Sequence, residues 1–219
     1  MRVTLALLLT LCLTAPALGY GYTRAEDPLI KAYQAAIRAA RADEYAKAKA
    51  LIGKVGWQLD ELREAKDLKV DFRRAFAASH EKPTRVKVVG AWVNLMYLGL
   101  LQKLHWNRRE KLSNFHRARA RLDAAWAYYE LALAGNVKRQ DAARRKRDPK
   151  APSRHADLVT TFAKAKKALG SPGLFGAGKR APDPKAFSRA ALRIAGHLAA
   201  VFPGFVRPGQ KNQKNQKKE

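Results

Sequence analysis

Arginine and lysine are the side chains whose number and spacing in this chain suggest chemistry. Between Lys103 and Arg154 there are 15 Lys/Arg against five Asp/Glu, with Trp106, Phe115, Tyr128 and Tyr129 interleaved. A surface that grips phosphates or carboxylates is built from such cations. Each one releases condensed counterions from a polyanion, and a guanidinium can give an oxyanion two parallel hydrogen bonds. The candidate anion-binding residues are Arg108, Arg109, Arg117, Arg121, Arg144, Arg145, Lys146 and Arg147. Phe115 and Tyr129 fall on a helical apolar stripe and read as core. Trp106 and Tyr128 are left as candidate exposed aromatic contacts that stack on a planar or sugar-like ligand.

Other chemistries find less support in the spacing. His80, His105, His116, His155 and His197 include no pair at i, i+3 or i, i+4, and no Glu-x-x-His occurs. No zinc or haem-attachment pattern results, so no metal ligand is assigned. His105 and His116 would share a face only if one unbroken helix joined them. Asp60, Glu61, Glu64 and Asp67, laced with Arg63 and Lys66, form an acidic stripe that reads as a solvated helix face; a carboxylate pair for glycosidic hydrolysis is the alternative. There is no nucleophile elbow, P-loop or dinucleotide fingerprint. The glycines from Gly173 to Gly178 lack the preceding strand that a phosphate loop needs and read as a flexible connector. No motif names a reaction, so the expected role is non-enzymatic and without a cofactor.

The chain carries 44 Lys+Arg and 18 Asp+Glu, a formal net charge of +26, and the excess is unevenly placed. Residues 20–81 hold 12 basic and 10 acidic side chains, whereas residues 82–219 hold 31 and 8. Charge of this density disfavours the compact state through self-repulsion, so its concentration in one region implies an anionic partner that offsets it. The N-terminus supplies an address. Arg2 precedes an apolar run, Val3–Leu13, and then the small residues Ala15, Ala17 and Gly19, the layout of a secretory signal peptide over residues 1–19 with cleavage after Ala17 or Gly19. Cys12, the only cysteine, lies in that leader, so the mature protein would have no disulfide and would stand on its apolar core. The expected location is therefore periplasmic or secreted. In that setting the expected partner is an acidic protein, an envelope polysaccharide or an anionic lipid surface, ahead of nucleic acid.

These side chains need elements to hold them, and the apolar periodicity is helical throughout. Val88–Leu101 contains no charged residue and has apolar side chains all round a helical cylinder, which places it in a core; at this length it does not span a bilayer, which takes about 20 residues. A helix over about 84–105 follows. Asp27-Pro28 and Asp183-Pro184 each combine a favoured N-cap with a proline preorganised for the first helical position. A seam through Tyr45, Ala48, Ile52, Val55, Leu59 and Leu62 predicts a second helix over 43–67, with Gly53 and Gly56 as points of close helix approach. Another seam, Phe115, Ala118, Leu122, Ala125, Tyr129 and Ala132, predicts a helix from Ser113 to Gly135-Asn136. Helices starting near Ser153 and Asp183 complete the set.

Arg41–Leu51, RADEYAKAKAL, resembles the turn and second-helix opening of tetratricopeptide-type helical hairpins. The first-helix motif of those repeats is missing and there is no second copy at their period of about 34 residues, so no binding residues are carried over.

The expected architecture is an all-α helical bundle of five to six helices with antiparallel helical hairpins, a single domain over 25–206. It contains a basic loop at 138–154 and a Gly/Pro-rich connector at 170–182, and a disordered basic tail follows at 207–219. The expected function is that of an exported binding or scaffold protein of the cell envelope, engaging an anionic partner through its C-terminal two-thirds. The alternatives are a metal- or haem-binding bundle and a subunit of a larger envelope assembly.

Overall fold

A computed structural model describes residues 27–56, 76, 81–173 and 178–203. The expected leader, the expected acidic stripe at residues 60–67, the second half of the predicted 43–67 helix, His80, residues 174–177 of the connector and the expected tail 207–219 lie outside the described residues.

Local signals set where most helices begin. Asp27 accepts hydrogen bonds at Oδ1 from the backbone of Leu29 (2.8 Å) and Ile30 (3.1 Å), and Pro28 supplies the first residue of α1 (Pro28–Arg41). Thr84 caps α3 (Arg85–Arg109) through a bond from Lys87 N, and Asn114 caps α4 (Phe115–Tyr128) through one from Arg117 N. Ser153 and Asp183 cap α6 (Arg154–Ala168) and α7 (Pro184–Val201), each accepting from the backbone three residues on. Two predicted spans change. In the described part of the second helix, α2 (Tyr45–Ala50) tightens into a 3₁₀ turn over Leu51–Val55. The predicted basic loop at 138–154 is mostly helix. The chain runs from α4 through a π-helical turn, Tyr129–Leu133, into α5 (Ala134–Arg147), so only Asp148–Ser153 is loop.

The stop expected at Gly135-Asn136 fails for a packing reason. The π turn adds a residue to the helical register and passes the buried stripe from Tyr129 to Leu133, Val137 and Asp141. Burial of that stripe outweighs the ~1 kcal/mol by which glycine disfavours a helix interior. Pro149, just beyond Arg147, cannot continue the ladder and marks the end.

Among the described residues, counting α4, the π turn and α5 as one rod, six helical rods form an all-α bundle with no strand. Side-chain pairings give the directions. Asn107 Nδ2 on α3 donates to Ala118 O on α4, and Gly99 lies against Tyr128, so these two run antiparallel. Arg85 donates to Arg41 O while Leu29 meets Gly99, which makes α1 antiparallel to α3. Asp183 N donates to Ala168 O while Arg193 pairs with Asp157, so α6 and α7 form a hairpin.

The uncharged stretch of α3 occupies the centre. Trp92, Leu95, Met96, Leu98 and Leu100 have no exposed surface, and the ring of Phe76 meets Trp92 edge to face at 5.5 Å. Close helix approach occurs at Gly99, where a Cβ would stand 3.0 Å from Tyr128 and 3.1 Å from Leu29. At Gly53 and Gly56, where sequence placed it, a Cβ would meet nothing within 4 Å among the described residues. No helix among the described residues is long and apolar enough to cross a membrane.

Candidate anion-binding cleft

The structure divides the predicted basic residues by what surrounds them. At the corner between α3 and α4, Glu110 gathers two of them. Arg121 donates to Oε2 at 2.7 Å and to Oε1 at 3.0 Å, and Arg117 approaches to 3.9 Å. The hydrogen bonds from Arg121 outweigh burial and hold the Glu110 carboxyl below its usual range. Arg121 is only 16% exposed, so it is a structural ion-pair partner and is not presented to a ligand. Arg108 donates to Ser188 Oγ on α7 at 3.0 Å, and the Arg109 guanidinium lies 5.0 Å over the half-buried Trp106 ring. The corner itself is tight: Lys111 and Leu112 both have positive φ, and this break separates His105 from His116.

Tyr128 is not a contact residue. It is 1% exposed, and its hydroxyl donates to Asp27 Oδ2 at 2.7 Å, tying the middle of the bundle to the cap of α1. Its place on α4 turns it inward against Gly99, a pairing that no local pattern announces. Phe115 and Tyr129 both pack with the core, as their periodicity requires.

The four cations at the end of α5 behave differently from one another. Arg144 lies 3.7 Å from Asp141 and donates to Pro152 O, which ties it to the following turn. Arg145, Lys146 and Arg147 are exposed, with no ion pair among the described residues. They occupy the last turn, where backbone carbonyls favour positive charge without any ligand. Asp141 beside them is almost fully buried. Burial raises its pKa, but the His155 N–H and the Ser153 hydroxyl, both bonded to Oδ2, outweigh that and hold the carboxyl low.

Two histidines, His155 and His197, are engaged in the bundle. The Tyr129 hydroxyl meets His155 Nδ1 at 2.6 Å with the rings stacked; burial pushes the Tyr129 pKa up and the His155 pKa down, which keeps both neutral at pH 7. His197 Nε2 lies 2.6 Å from Asp157 Oδ2. No group of three His, Cys, Asp or Glu side chains suited to a metal ion occurs among the described residues.

Exposed positive charge collects instead in a cleft between α6 and α7 that the sequence did not single out. The cleft encloses about 560 Å³ and is walled by Lys164 and Lys167 of α6, Arg189 and Arg193 of α7, and Arg180 of the connector. Its floor is made of small side chains, including Thr161, Ala168, Ala186 and Ala190. These leave the space that larger residues would fill. Between Leu158 and Pro203 there are eight Lys/Arg and one carboxylate, Asp183, and five of those cations line the cleft. Asp183 is committed to capping α7, where it accepts from Ala186 N at 2.8 Å.

Two devices set the walls. Arg193 donates to both oxygens of Asp157 at 2.7 Å, and these bonds hold the Asp157 carboxyl below its usual range. Gly170 ends α6 with φ +78°, and a Cβ there would stand 2.4 Å from the Arg180 carbonyl. Only glycine lets the connector close here, with Ser171 and Arg180 exchanging backbone hydrogen bonds at 2.9 and 3.0 Å. Arg180 is thereby delivered to the cleft, and its guanidinium also reaches Gly170 O at 3.4 Å. Lys164, Lys167 and Arg189 have no carboxylate partner among the described residues. A legible signal did exist: Lys164 and Lys167 are i, i+3, and Arg189 and Arg193 are i, i+4, each pair on one face beside small residues.

A smaller hollow of about 220 Å³ on the other flank of α6, lined by Leu122, Trp126, Val159 and Phe162 with Asp123 and Lys166, is mostly apolar. No family model, curated protein or solved structure matches the chain.

Proposed function

We propose that this chain is an exported, non-enzymatic binding or scaffold protein of the cell envelope, whose basic C-terminal two-thirds engages an anionic partner. The observation that carries this reading is the α6–α7 cleft, lined by five cations and one carboxylate, Asp183, which also caps α7, with Asp157 paired to Arg193. Like charges held this close repel one another, and an anion in the cleft relieves that repulsion while gaining charge-assisted hydrogen bonds. The exposed Arg145, Lys146 and Arg147 extend positive charge to the far end of α6, roughly 20 Å away by helical rise. They supply long-range attraction to a partner larger than the cleft.

Location rests on the leader-like residues 1–19, and support for the reading as a whole comes from the charge excess that follows them. The test is retention of the purified chain on a sulfated polysaccharide resin across a salt gradient. Strong retention at low salt that falls steeply as salt rises is expected, because counterion release drives the binding. Failure to bind at low salt, or binding that salt does not alter, contradicts the proposal. Expression with the leader, followed by N-terminal sequencing of the mature chain, is expected to find a start after Ala17 or Gly19 in an exported fraction.

A further inference from the structure

Resting on the anion-binding reading above, we infer that the α6–α7 cleft is a discrete site for a compact, multiply charged phosphate group, a diphosphate or a phosphate monoester. It is more than one patch of a diffuse basic surface.

Three observations point to this ligand class. The space, about 560 Å³, lies within the range of small-ligand pockets. The donors come from three separate segments. Lys164 and Lys167 stand on α6 and Arg189 on α7, while Arg193, bonded to Asp157, and Arg180, near Gly170 O, mark the two ends of the cleft, about 20 Å apart by helical rise. A tetrahedral phosphate offers acceptor oxygens in several directions, whereas a planar carboxylate offers them in one plane. The charge also fits. Arg193 is already partly neutralised by Asp157, while Lys164, Lys167, Arg180 and Arg189 have no carboxylate partner among the described residues. A singly charged ligand leaves most of this repulsion in place, and a diphosphate offsets it.

The geometry is prepared in advance. Arg193 is clamped between Asp157 and the cleft, Asp157 is held by His197 as well, and the left-handed Gly170 fixes the connector that carries Arg180. These contacts fix the two ends of the cleft, with the exposed Lys164, Lys167 and Arg189 between them. At the ion-paired corner around Glu110 the arginines are used within the fold.

The test titrates the full chain with inorganic pyrophosphate by calorimetry, and compares two charge-matched double variants, K164A/R189A in the cleft and R145A/R147A at the end of α5. The cleft variant is expected to lose pyrophosphate affinity by about tenfold or more, the effect of removing at least one charge-assisted hydrogen bond. The α5 variant is expected to change it by less than about twofold, while both variants elute earlier from the polysaccharide resin. Circular dichroism of both confirms that the fold is retained; if K164A/R189A is unfolded, K164Q/R189Q replaces it.

Equal loss in the two double variants overturns the discrete site. Retention on the resin with no pyrophosphate binding also overturns it, yet leaves the broader anion-binding reading standing. Absence of both removes the broader reading as well. Vesicles containing phosphatidic acid distinguish the source. Cleft-dependent vesicle binding that pyrophosphate displaces assigns a lipid-borne phosphate, and pyrophosphate binding without vesicle binding assigns a soluble one; both agree with the inference.

Discussion

The corner between α3 and α4 and the cleft between α6 and α7 are both rich in arginine, yet their cations do different work. At the corner, Glu110 lies between Arg117 and Arg121, Ser188 receives Arg108, and Arg109 covers Trp106. These contacts join neighbouring elements. In the cleft Asp157 takes up Arg193 alone, Asp183 is turned to a backbone N–H, and the small floor leaves a cavity in front of the remaining cations. A count of basic residues rates the corner above the cleft, because cations are denser along the sequence there. What separates structural charge from available charge is the position of each carboxylate, and that is a tertiary property.

Both regions hang on one core, so the largest expected effect is common to them. Trp92→Ala should cost about 3–5 kcal/mol, because Trp92 has no exposed surface and the site cannot collapse fully around Ala. Thermal unfolding should shift down as one transition for corner and cleft alike; two separated transitions would mean that the regions do not share a core.

Gly170→Ala should cost about 2–3 kcal/mol, through the left-handed backbone and the contact with the Arg180 carbonyl. It should weaken pyrophosphate binding while leaving retention on a polyanion resin nearly unchanged. Loss of stability with normal pyrophosphate binding would mean that the connector does not position the cleft. Tyr128→Phe should cost about 2 kcal/mol, since a buried hydroxyl bond to the Asp27 carboxylate is removed. Anion binding should not change; weakened binding would return Tyr128 to the role of an aromatic contact.

Glu110→Gln should cost about 1 kcal/mol, reduced by the partial exposure of the pair. Its sharper signature is in acid. The folded carboxyl is held below the ordinary value of 4.5, so the pair's contribution is fully present above that value and is lost as pH falls through the lower folded value. The wild-type melting temperature should therefore fall more steeply in that acid window than that of Glu110→Gln. Parallel curves would show that the corner is not held by charge. The smallest effect on stability is expected for R145A/R147A, within about 0.5 kcal/mol by chemical denaturation, because both side chains are exposed.

Much of the fold was legible in the sequence because its signals are local. Asp27-Pro28, Ser153 and Asp183-Pro184 start helices by satisfying backbone donors a few residues away, and the uncharged run Val88–Leu101 has nowhere to go but a core. The helical extent of 138–147 was not legible. Eight cations and two prolines over residues 138–154 read as loop, while the burial that keeps the first part helical depends on Leu133, Val137 and Asp141 finding neighbours on other elements. Of the site residues, Arg145, Lys146 and Arg147 are exposed as expected of them, although they end a helix where the sequence read a loop. Arg121 and Tyr128 were misread because their partners, Glu110 and Asp27, stand 11 and 101 residues away.

By itself, then, the sequence determined that the chain is helical, where several helices begin, which helix is central and that positive charge accumulates after residue 81. Caps, periodicity and charge counts act within a few residues and need no folded partner to be read. Only the tertiary structure decided which cations are neutralised and which converge on open space. That outcome depends on two helices packing across small residues, and on one left-handed glycine returning the connector between them.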